Sequence, residues 1–397
     1  MTQIGCAIGC KWWYARSGSY SWSHRALGFC KHIKLGPFKV AGRRLPVLVS
    51  DLVTLAHGAG GSVMQSLIKQ YVLKHLGGAN VEVPLEALDD AGVVQGIVLK
   101  SDSYTVKPLF FPGGDIGRLA VSGTINDICM LGAEPLALAA GFVLEEGFAF
   151  SQLEKILASI RSTCNEAGVP IITGDTKVME RGALDKFVIN SSGIGRRSAL
   201  LDRNLAAVKK LRDFEAQWLL DSNIRKGDKI ILSGTIGDHG IAVLSAREGY
   251  GFETKVESDA APLNRLTSHI LQVGGIVAMK DPTRGGLANL LNEWSEKSKV
   301  GILLYEESIP VREGVRAACE MLGLDVMEIG NEGKVVAAVV PERAESVLVA
   351  MRETEHGKDS AIIGEATSDF GIVAIETVVG GRRIVPQPEG DPVPRIC

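Results

Sequence analysis

Three aspartates stand where apolar or helical patterns end. Asp102 follows the apolar run 97–100, Asp127 sits beside Asn126 in a helical segment, and Asp175 lies in Thr173-Gly174-Asp175-Thr176-Lys177. Carboxylates at strand ends can converge on a magnesium ion, which takes a few carboxylate oxygens and completes its shell from substrate phosphates. Each one alone serves equally well as a helix cap or a turn residue. Together with Lys177 and a glycine-rich loop they favour a nucleotide-phosphate site. That loop is His57-Gly58-Ala59-Gly60-Gly61-Ser62, directly before the helical pattern 63–76. Bare backbone amides beside a helix N-terminus suit an anionic phosphate, although such a segment is also often only a turn.

Three polar junctions in the second half have a similar form. They are 233–240, which carries Asp238-His239-Gly240, then 281–286, Asp281-Pro282-Thr283-Arg284-Gly285-Gly286, and Asn331-Glu332-Gly333. They can line the opposite wall of a cleft. His239 and Glu332 are candidates for proton transfer, and each is open to a purely structural reading as well. The unusual feature is the last residue, Cys397, preceded by Pro394-Arg395-Ile396. A cysteine at the end of a proline-rich arm is a poor core residue. It is a good carrier, because its thiolate can visit more than one site. A prenylation box would place the cysteine four residues from the end.

Something must position these residues. A chain of 397 residues suits two domains of roughly 150–200 residues each. Strand-like runs at 96–100, 169–173 and 187–191 alternate with helical patterns at 118–131 and 152–167. A second series starts after Lys226-Gly227-Asp228: apolar runs at 229–232, 335–340 and 361–364, with helical patterns at 237–248, 263–273 and 285–297. The expected class is α+β, with one domain over 51–198 that carries the nucleotide-phosphate residues, an insertion or linker over 199–225, and an α/β domain over 226–380. Within that linker, 199–217 reads as a surface helix or a long connection. Pro386, Pro388, Pro392 and Pro394 forbid helix and sheet interior over the last stretch, so 381–397 is expected to form an extended, mobile arm.

Composition excludes other classes. The net charge of −3 is spread through well-mixed acidic and basic residues, so no nucleic-acid or membrane-surface footprint shows. The longest apolar stretch, 128–144, is broken by Glu134 and Pro135, which rules against a membrane span. Seven cysteines without a disulfide-framework spacing fit a reducing, cytoplasmic setting. Residues 1–50 are rich in Trp, Tyr, Ser and basic residues and lack periodicity, so they are expected to be an unstructured extension. Cys6 and Cys10 within them could begin a metal site, but no second ligand pair follows at zinc spacing.

From about residue 52 to the end, the chain resembles the hydrogenase maturation factors of the HypE family. These belong to a superfamily with aminoimidazole ribonucleotide synthetase and selenophosphate synthetase. The resemblance is carried by 57–61, 102–108, 112–117, 123–127, 174–178, 237–240, 281–286, 331–333 and 394–397. It implies a homodimer formed through the N-terminal domain, with ATP and magnesium between the two domains. It also implies two partners: the carbamoyltransferase HypF, which loads the terminal cysteine, and a HypC–HypD complex, which receives cyanide. The residues it implies are Asp102, Asp127 and Asp175 for metal, and His57, Gly58, Gly60, Gly61, Asn126 and Thr176 for the nucleotide. Cys397, Lys177, His239 and Glu332 are implied for catalysis. The implied reaction is ATP-dependent dehydration of an S-carbamoyl group on Cys397. A phosphotransferase of the same superfamily has no need of the cysteine arm, and a non-catalytic carrier has no need of three aspartates and a glycine loop.

Overall fold

The computed structural model describes residues 52–247, 255–390 and 392–397, with the backbone of four strands nearer the start. The chain divides into two compact units, Met1–Thr54 and Leu55–Cys397. In the first, Gln3–Gly5 pairs antiparallel with Lys11–Trp13, and Ile33–Val40 with Arg43–Ser50. The expectation of an unstructured extension falls on this stretch, the rest of which lies outside the described residues.

Two sheets organise the second unit. The first has five strands, in the spatial order Ile171–Met179, Ala133–Glu145, Phe187–Arg197, Ile97–Tyr104 and Gly92–Val94. Only Ile171–Met179 and Ala133–Glu145 run parallel, and the helix Phe150–Ala167 makes the crossover between them. Strand periodicity decides what faces where. On Ile97–Tyr104, Val98 and Tyr104 point inward to the helix Ile116–Met130, whereas Ile97, Leu99, Ser101 and Ser103 are exposed. Asp115 starts that helix by accepting hydrogen bonds from the Gly117 and Arg118 amides, at 2.7 and 3.0 Å.

The second sheet has seven strands, in the order Ile276–Lys280, Val336–Val339, Lys229–Leu232, Ala361–Thr367, Gly301–Tyr305, Val373–Glu376 and Arg382–Ile384. Its first three strands are almost wholly buried, which matches their largely apolar composition. Between the sheets, Ala199–Leu211 is a helix capped by Ser198, with Leu201, Leu205 and Val208 buried. Its Asn204 side chain both donates to and accepts from the Ile276 backbone, at 2.7 and 2.9 Å. The segment is therefore a surface helix whose inner face splices the two halves. Among the described residues no helix is long and apolar enough to cross a membrane.

The closing arm lies against the body. Val393 and Ile396 are fully buried, and Pro388 accepts a hydrogen bond from the Ser62 amide at 3.1 Å.

Candidate active site

Where the two halves meet, a cavity of about 890 Å³ is lined by Gly60, Gly61, Asp90, Asp102, Asp127, Asp281, Arg284, Glu332 and Cys397, among others. Its most charged wall is built from both sheets. Asp127 comes from the buried face of Ile116–Met130, Asp281 follows Ile276–Lys280, and Asp90 precedes Gly92–Val94. One carboxylate oxygen from each lies within 4.8 Å of the others. Burial raises all three above the ordinary carboxylate range; neighbouring carboxylates add to the rise, while Lys280 and Lys100 offset part of it. Asp281 is pushed up to about 7 by burial and by Asp90. A wall that resists its own ionisation, with oxygen donors from three chain segments, fits a hard divalent cation such as magnesium.

Cations brace this wall. Burial works against the charge on Lys100, but Asp127 at 2.5 Å and Asp102 at 3.1 Å more than offset it. Lys280 is set among Asp90 at 2.8 Å, Asp221 at 3.3 Å and Glu293 at 3.4 Å. Behind it, Asp221 accepts from the Trp294 indole at 2.7 Å and from Lys297 at 2.6 Å. The charged floor is thus paired through to the core, as buried ions must be.

The glycine loop closes the mouth. Gly60 and Gly61 have φ of +78° and +71°, which favours glycine on conformational grounds. At Gly61 a Cβ would stand 2.1 Å from the Pro388 carbonyl, so no side chain fits while the arm is seated. Helical backbone runs from Gly61 through Leu76 with a π segment at Ile68–Val72. Arg284 spans the opening, donating to the Gly58 carbonyl at 3.1 Å. Cys397 reinforces its positive charge, with Asp102 and Glu332 adding to the effect.

The three polar junctions of the second half do converge. The Asn331 side chain accepts from the Gly237 amide at 2.7 Å and donates to the Pro282 carbonyl at 3.2 Å, tying all three together. Glu332 is buried, and its Oε1 has no hydrogen-bond partner among the described residues. Burial, with Asp281 and Asp259, pushes its pKa well above the usual range. His239 is fully buried and uses both ring nitrogens: Nδ1 meets Ser258 at 2.8 Å and Nε2 meets the Ile396 carbonyl at 2.7 Å. Burial lowers its pKa and keeps it neutral.

The expected residues therefore divide. Cys397, Glu332, Asp102, Asp127, Gly60 and Gly61 line one cavity, and His239 holds the arm beside it. Gly58 enters only through its carbonyl, and His57 stands in the turn Leu55–Gly58 before the loop. Asn126 is a departure from expectation. Its amide donates to the Ala261 carbonyl at 3.1 Å and accepts from the Leu263 amide at 2.8 Å, so it joins the two halves and is not a cavity-lining residue. Asp175, Thr176 and Lys177 sit on the exposed edge strand, where Asp175 and Lys177 pair at 3.0 Å; one chain alone does not bring them to the cavity. Sequence reasoning missed Asp90, Lys100 and Lys280 and gave Asp281 and Arg284 no specific role. The available signal was an Asp or Lys abutting an apolar run, the same signal that singled out Asp102.

Comparison with known proteins follows the same two halves. Residues 88–197 match the family described as AIR synthase related protein, N-terminal domain, and 225–376 match its C-terminal domain. The carbamoyl dehydratase HypE of Bradyrhizobium diazoefficiens is 47% identical, over 87% of this chain and 96% of its own length. The chain belongs to the HypE family. A solved HypE–HypF complex superposes with a TM-score of 0.74 at 45% identity, over 81% of this chain and 100% of that one. The hydrogenase maturation protein HypE solved in complex with ATP gives 0.69 at 41% identity, over 87% and 100%. HypE proteins so named are carbamoyl dehydratases of hydrogenase maturation, and the chain is an enzyme of that family.

Proposed function

We propose that this chain uses ATP to dehydrate an S-carbamoyl group on Cys397 to a thiocyanate, the source of the cyanide ligand on the iron of nickel–iron hydrogenase. One observation carries the reading: Cys397 lines the same cavity as the Asp90, Asp127 and Asp281 carboxylates and the Gly60–Gly61 turn. A carbamoyl oxygen is a poor leaving group. Transfer of the γ-phosphoryl group of ATP onto that oxygen makes it phosphate. Loss of two protons from nitrogen and departure of phosphate leave S–C≡N, so a carbamoyl group and ATP become thiocyanate, ADP and phosphate.

The residues divide the work. Gly60 and Gly61 offer backbone amides to the phosphates, and Arg284, Lys100 and Lys280 balance negative charge on the cavity wall. Asp90, Asp127 and Asp281, with Asp102 beside them, would hold magnesium, which supplies charge neutralisation to the triphosphate when bound. Glu332 has an oxygen free of hydrogen bonds and a raised pKa, which makes its ionised form a strong base for the nitrogen protons. With both ring nitrogens engaged, His239 is assigned to holding Ile396.

Loading is assigned to HypF and cyanide receipt to a HypC–HypD complex, in the cytoplasm. A homodimer is proposed through the outer face of the first sheet, where Val94, Ile97, Leu99, Ile172, Val178 and Ile194 are exposed. In that pairing Asp175, Thr176 and Lys177 act in a second copy's cavity.

The test is the intact mass of the full chain after HypF, carbamoyl phosphate and ATP, then after further ATP alone. The carbamoylated species should lose the mass of one water, mapped to the C-terminal peptide, and Cys397→Ala should take up no carbamoyl group. A dehydrated product on Cys397→Ala would overturn the proposal.

A further inference from the structure

Two charged side chains near the arm have no task in the scheme above, yet they make the most specific contacts to it. The Arg247 guanidinium bridges two chain segments: Nε donates to the Lys107 carbonyl at 2.6 Å, and Nη2 donates to the Pro394 and Arg395 carbonyls at 2.6 and 2.8 Å. Across from it, Asp185 accepts from Lys107 Nζ at 2.8 Å and Arg395 Nη1 at 2.7 Å. Those two cations hold the Asp185 carboxyl down to about 2, so it stays ionised at any working pH.

Between these residues the arm runs alongside 105–107, joined by two backbone hydrogen bonds without forming a strand. The Thr105 amide donates to the Cys397 carbonyl at 3.0 Å and the Lys107 amide to the Arg395 carbonyl at 3.1 Å, steps of two residues in opposite directions. Arg395 has φ of +57°, a left-handed backbone that a non-glycine residue adopts at a cost. Its guanidinium also donates to the Thr105 carbonyl at 2.9 Å. Next to it, Ile396 is fully buried against Gly330, where a Cβ would come within 2.3 Å of Ile396 Cδ1. An arm held at a strained residue needs contacts that offset the strain, and the guanidinium and carboxylate provide them.

We propose that Arg247 and Asp185 are positioning residues: together they clamp Pro394 and Arg395, so that the Cys397 thiol is held at the cavity. Opening of the clamp releases the thiol for loading, a consequence that rests on the carrier reading of Cys397; the clamp itself does not. The guanidinium's rigid fork reaches the Lys107 carbonyl from Nε and the two arm carbonyls from Nη2, a spread that the compact ammonium of a lysine does not reproduce.

Maleimide labelling of the full chain tests this, with modification sites mapped by peptide mass. Arg247→Ala, Arg247→Lys and Asp185→Asn should each raise the labelling rate of Cys397 by about tenfold or more, the loss of charged hydrogen bonds that hold the docked state. The buried Cys129 reports on folding and should stay slow. Arg395→Ala removes the clamped side chain from the arm itself and should give the same increase without touching the folded body. An unchanged Cys397 rate in Arg395→Ala, or in any body variant that keeps Cys129 protected, overturns the clamp.

A second readout separates positioning from general structural damage. In Arg247→Ala, loading by HypF should rise or hold while ATP-driven water loss from the loaded arm slows. Parallel loss of both steps overturns positioning. Labelling needs neither ATP nor a partner. Failure of Cys397 to carry a carbamoyl group would therefore sink the functional reading while leaving the labelling result intact.

Discussion

Asp127 and Asp175 look alike in sequence, each an acidic residue beside polar neighbours at the end of an apolar pattern. The fold treats them in opposite ways. Asp127 faces the interior from a helix whose surface is almost all buried, close to Asp90 and Asp281, and it resists ionisation there. Asp175 stands on the edge strand with 69% of its side chain exposed, paired to Lys177, and its pKa is lowered by that lysine's hydrogen bond and charge. Burial without enough opposite charge marks a carboxylate waiting for a cation, whereas a solvated ion pair is already satisfied. Local sequence does not separate the two cases, because the difference arises from what the opposite sheet brings.

The sharpest test of that contrast is Asp127→Asn. Magnesium-dependent ATP turnover should fall by about a hundredfold or more, as expected when a group aimed at a charged centre is lost. The thermal midpoint without magnesium should fall as well, because the amide leaves buried Lys100 with Asp102 as its nearer remaining counter-charge. Calorimetry and an ADP-release assay measure the two effects. A lower midpoint together with full turnover would place Asp127 among ordinary structural residues.

A pH series gives the next largest effect. Asp281 and Asp89, the latter on the same cavity's lining where it accepts from the Asp221 amide, both have folded pKa values raised from 3.8 to about 7, chiefly by burial. For a carboxyl whose pKa is raised by folding, the folded state binds protons more tightly. Its stabilising contribution is complete below about 4 and is lost as pH rises through about 7. The magnesium-free protein should therefore lose thermal stability between pH 4 and pH 7, and added magnesium should restore more at pH 7.5 than at pH 5. A magnesium effect independent of pH would break the link between the raised carboxyls and cation binding.

The elements were legible where periodicity was clean. The helix expected over 152–167 is Phe150–Ala167, that over 263–273 is Asn264–Val273, and the run 229–232 is the strand Lys229–Leu232. The strand Ala133–Glu145 was not legible. It follows the preceding helix within two residues, Gly132 at φ +79° marks the turn, and Glu134 and Pro135 near its start interrupt the pattern that would have shown a strand. Half of the site was legible for the same reason: Asp102, Asp127, Gly60 and Gly61 carry local signals. Asp90 and Lys280 abut apolar runs as Asp102 does, but that placement does not mark them as partners. Their meaning comes from a 2.8 Å contact across 190 residues of sequence, and no local pattern encodes such a contact. Asn126 is the converse case: its place beside Asp127 suggested the nucleotide, whereas its side-chain contacts join the two halves.

A smaller effect is expected at Asn126. Replacing it with Ala leaves the Leu263 amide without its 2.8 Å acceptor in a buried setting, which should cost about 1–3 kcal/mol of stability. The apparent affinity for ATP should change little, because the side chain faces the joint between the halves. A large rise in KM for ATP at an unchanged thermal midpoint would return Asn126 to the nucleotide site.

Asp175→Asn should have the smallest effect on folding, and its value lies in what it says about assembly. An exposed pair such as Asp175–Lys177 adds little to stability, so the thermal midpoint should not move. If one chain were the whole enzyme, turnover would not move either. The proposed homodimer changes that expectation. Pairing through the outer face of the first sheet takes the edge strand out of solvent, and Asp175 and Lys177 are the charged residues at the centre of its exposed run. Turnover by Asp175→Asn should then fall at limiting magnesium and recover in part as magnesium is raised. The loss should disappear when assays are run below the concentration at which sedimentation shows the dimer to dissociate. A magnesium-independent wild-type rate at every concentration would leave Asp175 as a solvated edge residue and confine the site to the carboxylates that one chain brings together.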